Sequence, residues 1–172
     1  RGVRGRDQLL RALRHQKVVG GKLGTCLLEI DAASEEEIVR ALAEQQNVPS
    51  VTPEELRSVP ADVRRLLPAK VARTHFVIPV RATSTQVEVA MIDSRDLRAL
   101  DELAFVTGRR VRPMIATEAR ILEALEKHYG EECPQRFAKL VERLDRASFL
   151  RRSREEPEPA AQLSWDEAFE PS

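Results

Sequence analysis

Neither sign of charge is in excess in this chain. Lys and Arg number 28, Asp and Glu number 28, and the whole molecule offers no field that would gather nucleic acid. No apolar run reaches the roughly 18 residues that a membrane-spanning helix needs. No charged-then-apolar leader opens the sequence. Only two cysteines occur, Cys26 and Cys133, far apart and in no C-x-x-C pair. Cys26 sits in the apolar stretch TCLLEI and reads as a reduced core residue. These absences together suit the cytoplasm. A phosphate-binding G-x-x-x-x-G-K-[ST] is also missing. GGKLGT has the wrong glycine spacing, and Lys22 is not followed by Ser or Thr, which excludes ATP binding by that device. His15, His75 and His128 stand apart, without metal-ligand spacing. No Ser or Cys has a nucleophile's setting, so nothing marks an enzyme. Asp93 and Asp96 read as helix start signals and Asp101 as an exposed helix position.

What is there begins with Lys22 to Gln45, KLGTCLLEIDAASEEEIVRALAEQ. Gly20 and Gly21 break a preceding helix. Leu23, Leu27, Leu28 and Ile30 give a short amphipathic piece, and Gly24 allows a backbone or a ligand to pass close. Ser34 with Glu37 is a capping box that starts a second helix. Ile38, Val39 and Leu42 form its buried stripe, and Glu35, Glu36 and Glu37 favour the positive end of its dipole. Asn47 and Pro49 end it. A partial copy lies upstream: Arg6 to Gln16 aligns without gaps on Glu35 to Gln45, each copy closing on Gln. Repeats of this kind usually bury their apolar faces against each other.

The first 22 residues hold seven Lys or Arg against one Asp. A solvated helix face and contact with an anionic partner are both compatible with that excess, but a membrane-surface helix would need a larger apolar face. The chain starts at Arg1 rather than Met, as a piece cut from a longer protein would. Thr52-Pro53 starts another helix, stopped by Pro60, and two further short helical pieces follow around Pro68.

The period then changes from helix to strand. Phe76 to Arg81 and Val87 to Ile92 alternate as strands, with Pro79 suited to an edge. Asp93 or Ser94 caps a helix with Leu97, Leu100 and Leu103 inward. Arg110 to Ile115 is a third strand, and Thr117 caps a helix that Gly130 stops. The fold class is therefore α+β. A short-helix subdomain with a partial repeat covers residues 1–74, and a small three-stranded β-β-α-β-α unit covers 75–130. Residues 131–172 are a helix from Cys133 to Leu150 and then a disordered acidic tail from Arg151. Within that tail Trp165 and Phe169 lie four apart among acids, the spacing of a segment that turns helical in a partner's groove. An idle tail with two stray aromatics has the same pattern.

The ordered series KLG, capped L-x-x-x-L-x-x-Q helix, NVPSV, LLPAKVARTHFVIPV, VEVAMIDSRDLRALDELAFVTGRRVRPMIA and HYG resembles the N-terminal domain of type II secretion and type IV pilus assembly ATPases. That resemblance implies a non-catalytic regulatory and docking domain. It would join a motor to a protein partner of a secretion or pilus machine, at the cytoplasmic face of the inner membrane. In one branch of the family, tandem RLG…Q motifs bind cyclic di-GMP. By the resemblance Lys22, Leu23, Gly24 and Gln45 fall where such a motif makes its contacts. The sequence departs from the motif in three ways. Lys22 stands for Arg, Asp31 stands for Gly, and only the Leu-Leu-Gln end of a first copy is present.

Overall fold

The computed structural model describes residues 2–155, and side-chain surroundings from residue 5 onward. Contacts divide the chain into two units, residues 1–141 and 142–172. In the first unit α1 (Gly2–Val19) ends where Gly20 and Gly21 take φ of +73° and +91°, a reversal that side chains resist. The chain turns into α2 (Leu23–Glu29), which packs on α1. Helix α3 (Glu35–Gln46) starts with the expected capping box, Ser34 accepting from the Glu37 N–H, and ends at Asn47 in the left-handed conformation. A second capping box, Thr52 with Glu55, starts α4 (Pro53–Arg57). Short helices α5 (Ala61–Arg64) and α6 (Ala69–His75) follow, each behind a proline.

Strands β1 (Ile78–Ala82), β2 (Gln86–Met91) and β3 (Arg110–Ile115) form one sheet in that order. β1 runs antiparallel to β2, and β2 parallel to β3, with helix α7 (Leu97–Thr107) supplying the crossover. Pro79 lies on edge strand β1, at a bulge. Helix α8 (Glu118–Tyr129) is capped by Thr117 and closed by Gly130. The α+β class and the β-β-α-β-α order of the sequence reading hold. The main core is aliphatic, with Val77, Ile78, Val87, Leu103 and Ile121 fully buried. Tyr129 anchors α8 through contacts of its hydroxyl with the Arg64 and Leu67 carbonyls, and burial pushes its pKa up to about 12. Among the described residues no helix is long and apolar enough to cross a membrane.

Four local expectations are corrected. Phe76 is the left-handed cap of α6, half exposed, and the strand begins two residues later. Asp96, rather than Asp93 or Ser94, caps α7 by accepting from the Ala99 N–H. The buried row of that helix is therefore Ala99, Leu103 and Thr107. Leu97 lies roughly 160° around the helix from Ala99 and is 71% exposed. In α3, Ile38, Val39 and Leu42 are only half-buried, whereas Glu35 is buried. Helix α9 (Gln135–Glu155) extends into the segment read as disordered from Arg151. Trp165 and Phe169 lie outside the described residues.

Candidate functional site

Lys22 precedes α2 with extended backbone and is exposed. Two residues later, as the second residue of α2, Gly24 faces α3. A Cβ built there would meet Ile38 Cγ2 at 3.5 Å, an ordinary contact. The protein's own packing therefore has room for alanine at this position. Between α2, α3 and the start of α8 lies a slot of about 90 Å³ with Leu28, Ile38, Leu42 and Ile92 in its wall. Lys22 and Gly24 line it as well. Leu23 is half-buried outside the slot, and Gln45 points into solvent from α3. The structure thus brings Lys22 and Gly24 together and leaves Leu23 and Gln45 apart from them.

The neighbouring residue, Gln46, makes the tertiary contact. Its side-chain amide oxygen, Oε1, accepts from the Ser94 N–H at 2.7 Å and from the Ser94 hydroxyl at 2.6 Å. This ties the end of α3 to the turn after β2. Gln16, the counterpart of Gln45 in the partial repeat, donates to the Gly21 carbonyl at 2.7 Å instead. The two repeat helices also sit in different surroundings, since Ala12 is fully buried and its counterpart Ala41 is exposed.

Electrostatics around the slot are mixed. Glu118 lines it and accepts a hydrogen bond from Thr25 Oγ1 at 3.2 Å. Asp93 is held below the usual carboxylate range, first by the Arg95 N–H and also by the charge of Lys22. An anion arriving at Lys22 would compete with Asp93 and face Glu118. Asp31, where the motif carries Gly, has φ +57°, inside the region that favours glycine and that Asp tolerates. The backbone there keeps the shape a glycine would give it. Cys26, fully buried beside this region, has its thiol pushed up by burial, which keeps it protonated and unreactive.

Two ion-pair systems secure these helices, and local sequence signals mark neither. Arg120 of α8 donates through Nε to Glu35 Oε2 at 2.9 Å, with side chains 5% and 10% exposed. Arg136 of α9 grips Glu29 at 2.8 and 2.6 Å and the Gly20 carbonyl at 2.9 Å. His15 adds a contact to the same Glu29. Glu29 is held below the usual carboxylate range, chiefly by the hydrogen bond from Arg136. His75 meets Glu102, and His128 meets the Leu56 carbonyl. Among the described residues no cluster of three or more His, Cys, Asp or Glu could hold a metal ion.

The MshEN domain model matches residues 46–134, more than half of the chain. The chain belongs to the MshEN domain family. The match begins just after Gln45, so Lys22 and Gly24 precede the matched MshEN segment. The type IV pilus assembly ATPase PilB of Myxococcus xanthus is 34% identical over 128 residues, 74% of this chain and 22% of PilB. Bacteriophage adsorption protein B of Escherichia coli K12 is 32% identical over 124 residues, 72% of this chain and 16% of that protein. This MshEN chain therefore spans about a fifth of the length of these relatives. The solved structure of MshE with cdg superposes with a TM-score of 0.54 at 26% identity, over 75% of this chain and 100% of that one.

Proposed function

We propose that this chain is a non-catalytic regulatory and docking module of a type IV pilus or type II secretion machine, acting through protein contact on the cytoplasmic side of the inner membrane. The observation that carries the reading is the MshEN match, together with 34% identity to a pilus assembly ATPase confined to 22% of that ATPase's length. A module of this size is separate from most of the relative's chain. The geometry adds a surface for contact. Helix α7 turns Leu97 and Phe105 outward, 71% and 87% exposed and eight residues apart on one face. Burying them is not part of the fold of this unit, whereas a partner would gain by covering them. The test places a photo-crosslinking residue at position 105 of the protein in its own host. Adducts to a pilus or secretion component support docking, and their absence in cells assembling that machine overturns it.

A second reading has its own support. Cyclic di-GMP, the dinucleotide abbreviated cdg, is the ligand with which the 26% identical MshE was solved. Lys22 and Gly24 stand together at a slot with an apolar wall, and Gly24 is bare without being crowded. A volume of about 90 Å³ is room for about three waters, so the dinucleotide would lie across the mouth rather than inside. Titration calorimetry decides this reading. Binding that weakens about tenfold or more in Lys22→Ala and is kept in Lys22→Arg supports it. No heat at several hundred micromolar ligand (about that level) rejects it.

A further inference from the structure

Away from the slot, the sheet carries a charged surface that none of the contacts above uses. Val87 and Val89 of β2 are buried on one face. The opposite face, at the hairpin end, carries Gln86 and Glu88, which register with Arg110 and Arg112 of β3. Both arginines are exposed. Glu88 would be the cross-strand partner of Arg112. It instead accepts from Arg81 Nε on its other side, at 2.6 Å. The side chains of Arg110 and Arg112 are left with no ion pair or hydrogen bond among the described residues. Two unpaired like charges on one strand face repel and contribute nothing to the fold that their exposed stems could not supply without charge.

Their spacing points to a ligand shape. Residues i and i+2 of a strand project from the same face about 6.8 Å apart. Carboxylates at i and i+2 of an extended peptide have the same repeat. The guanidinium fork suits a carboxylate better than any other cationic side chain does. Arg110 and Arg112 line a depression of about 350 Å³ that runs between β3 and Asn47, Val48 and Pro49, room for the peptide backbone. Pairing as an extra strand is not the mode. The Val51 N–H and the Ile115 N–H already bond across the far end of β3, to Ile115 and Pro49 carbonyls at 3.0 and 2.8 Å. Two residues earlier along the same edge stands Pro113, which has no N–H to offer. A compact phosphate would need donors that converge, and it would meet Glu88 in the same lining. An extended chain can set its acids on the arginines and pass Glu88 by.

We infer that the Arg110–Arg112 face of the sheet docks an extended acidic peptide segment of a protein partner, with carboxylates at alternate positions. The inference deepens the docking reading by giving the partner's chemistry, and the two fail separately. The cross-linking test at position 105 does not involve this face.

The experiment is fluorescence anisotropy with the whole chain and three probes: a labelled GSEVEVEGS peptide, its GSQVQVQGS counterpart, and inorganic phosphate as competitor. The glutamate peptide binds and the glutamine peptide does not. Arg110→Glu with Arg112→Glu weakens binding about tenfold or more, and that variant gains affinity for GSKVKVKGS. Arg110→Gln with Arg112→Gln, which sets no new acid opposite Glu88, also weakens binding and keeps the parent's melting temperature, because neither side chain is buried. The inference is overturned by equal affinity for the glutamate and glutamine peptides, by unchanged binding in the double variant, or by displacement of the peptide at low millimolar phosphate. The last outcome would assign the face to phosphate ligands instead.

Discussion

Helices α1–α3 and the unit that begins at Val51 bury different kinds of group. Every residue of the main apolar cluster falls from Val51 to Leu125. What joins the earlier helices to that unit is largely polar: Glu35 to Arg120, Thr25 to Glu118, Gln46 to Ser94, and Glu29 to Arg136. Among their described residues only Ala12, Cys26 and Leu28 are buried apolar groups. An apolar core is non-directional and lost as a whole, whereas polar ties are directional and break one at a time. The contrast makes α1–α3 the part whose attachment can be adjusted, and the sheet unit the part that holds its shape. The proposed cyclic di-GMP slot lies between the two, lined by α2 and α3 on one side and the start of α8 on the other.

Removing the buried cation should be the largest perturbation. Arg120→Ala removes the cation that faces the buried Glu35 carboxylate and costs about 3–5 kcal/mol. Hydrogen exchange should show α3 amides losing protection before those of β2. Simultaneous loss in both would break the contrast. Replacing both members, Glu35→Leu with Arg120→Met, should recover most of the loss. Next comes the apolar side of the comparison. Leu103→Ala at a fully buried site should cost about 3 kcal/mol. Its urea melt should shift equally for probes in β2 and α8, and a shift confined to one element would show that the core is not cooperative.

A smaller effect follows pH. The Glu29 carboxyl is held low in the folded protein, so its contribution is present above the ordinary value of about 4.3 and is lost as pH falls through the folded value. Glu29→Gln should flatten that acid limb, by about 1 kcal/mol for a partly exposed pair. An unchanged limb would mean that the Arg136 clamp contributes nothing to α1–α2. The smallest effect is expected at Asp31. Its left-handed φ of +57° should make Asp31→Gly stabilising by about 0.5 kcal/mol. Destabilisation in thermal melts would show that the Asp side chain has a role the turn alone does not explain.

Much of the local structure is legible because its causes are local. Ser34 with Glu37, Thr52 with its proline, and Thr117 start helices through hydrogen bonds spanning three residues, while Asn47, Gly108 and Gly130 stop them by adopting positive φ. The strands follow from alternation. Two of the errors share one cause. Leu97 opens α7 and Phe76 directly follows α6, and both are apolar, so pattern alone assigns them inward. Only the position of the cap, Asp96 in one case and Phe76 itself in the other, sets which way each faces. Of the candidate slot, the resemblance supplied Lys22 and Gly24. Glu118 was hidden, because an acid in the first turn of a helix is normally explained by the helix dipole.

From its order of residues alone, the chain specified its elements, their caps, the α+β class and the family resemblance, since each depends on neighbours a few positions apart. Tertiary structure decided which charges are buried and which surfaces stay open. Glu35 reads as one of three first-turn acids until Arg120, 85 residues away, is folded against it. Arg112 lies opposite Glu88 in the sheet register, yet Arg81 takes that carboxylate from the other strand. A carboxylate in reach of two cations is committed by distance and geometry, and those exist only once the chain has folded.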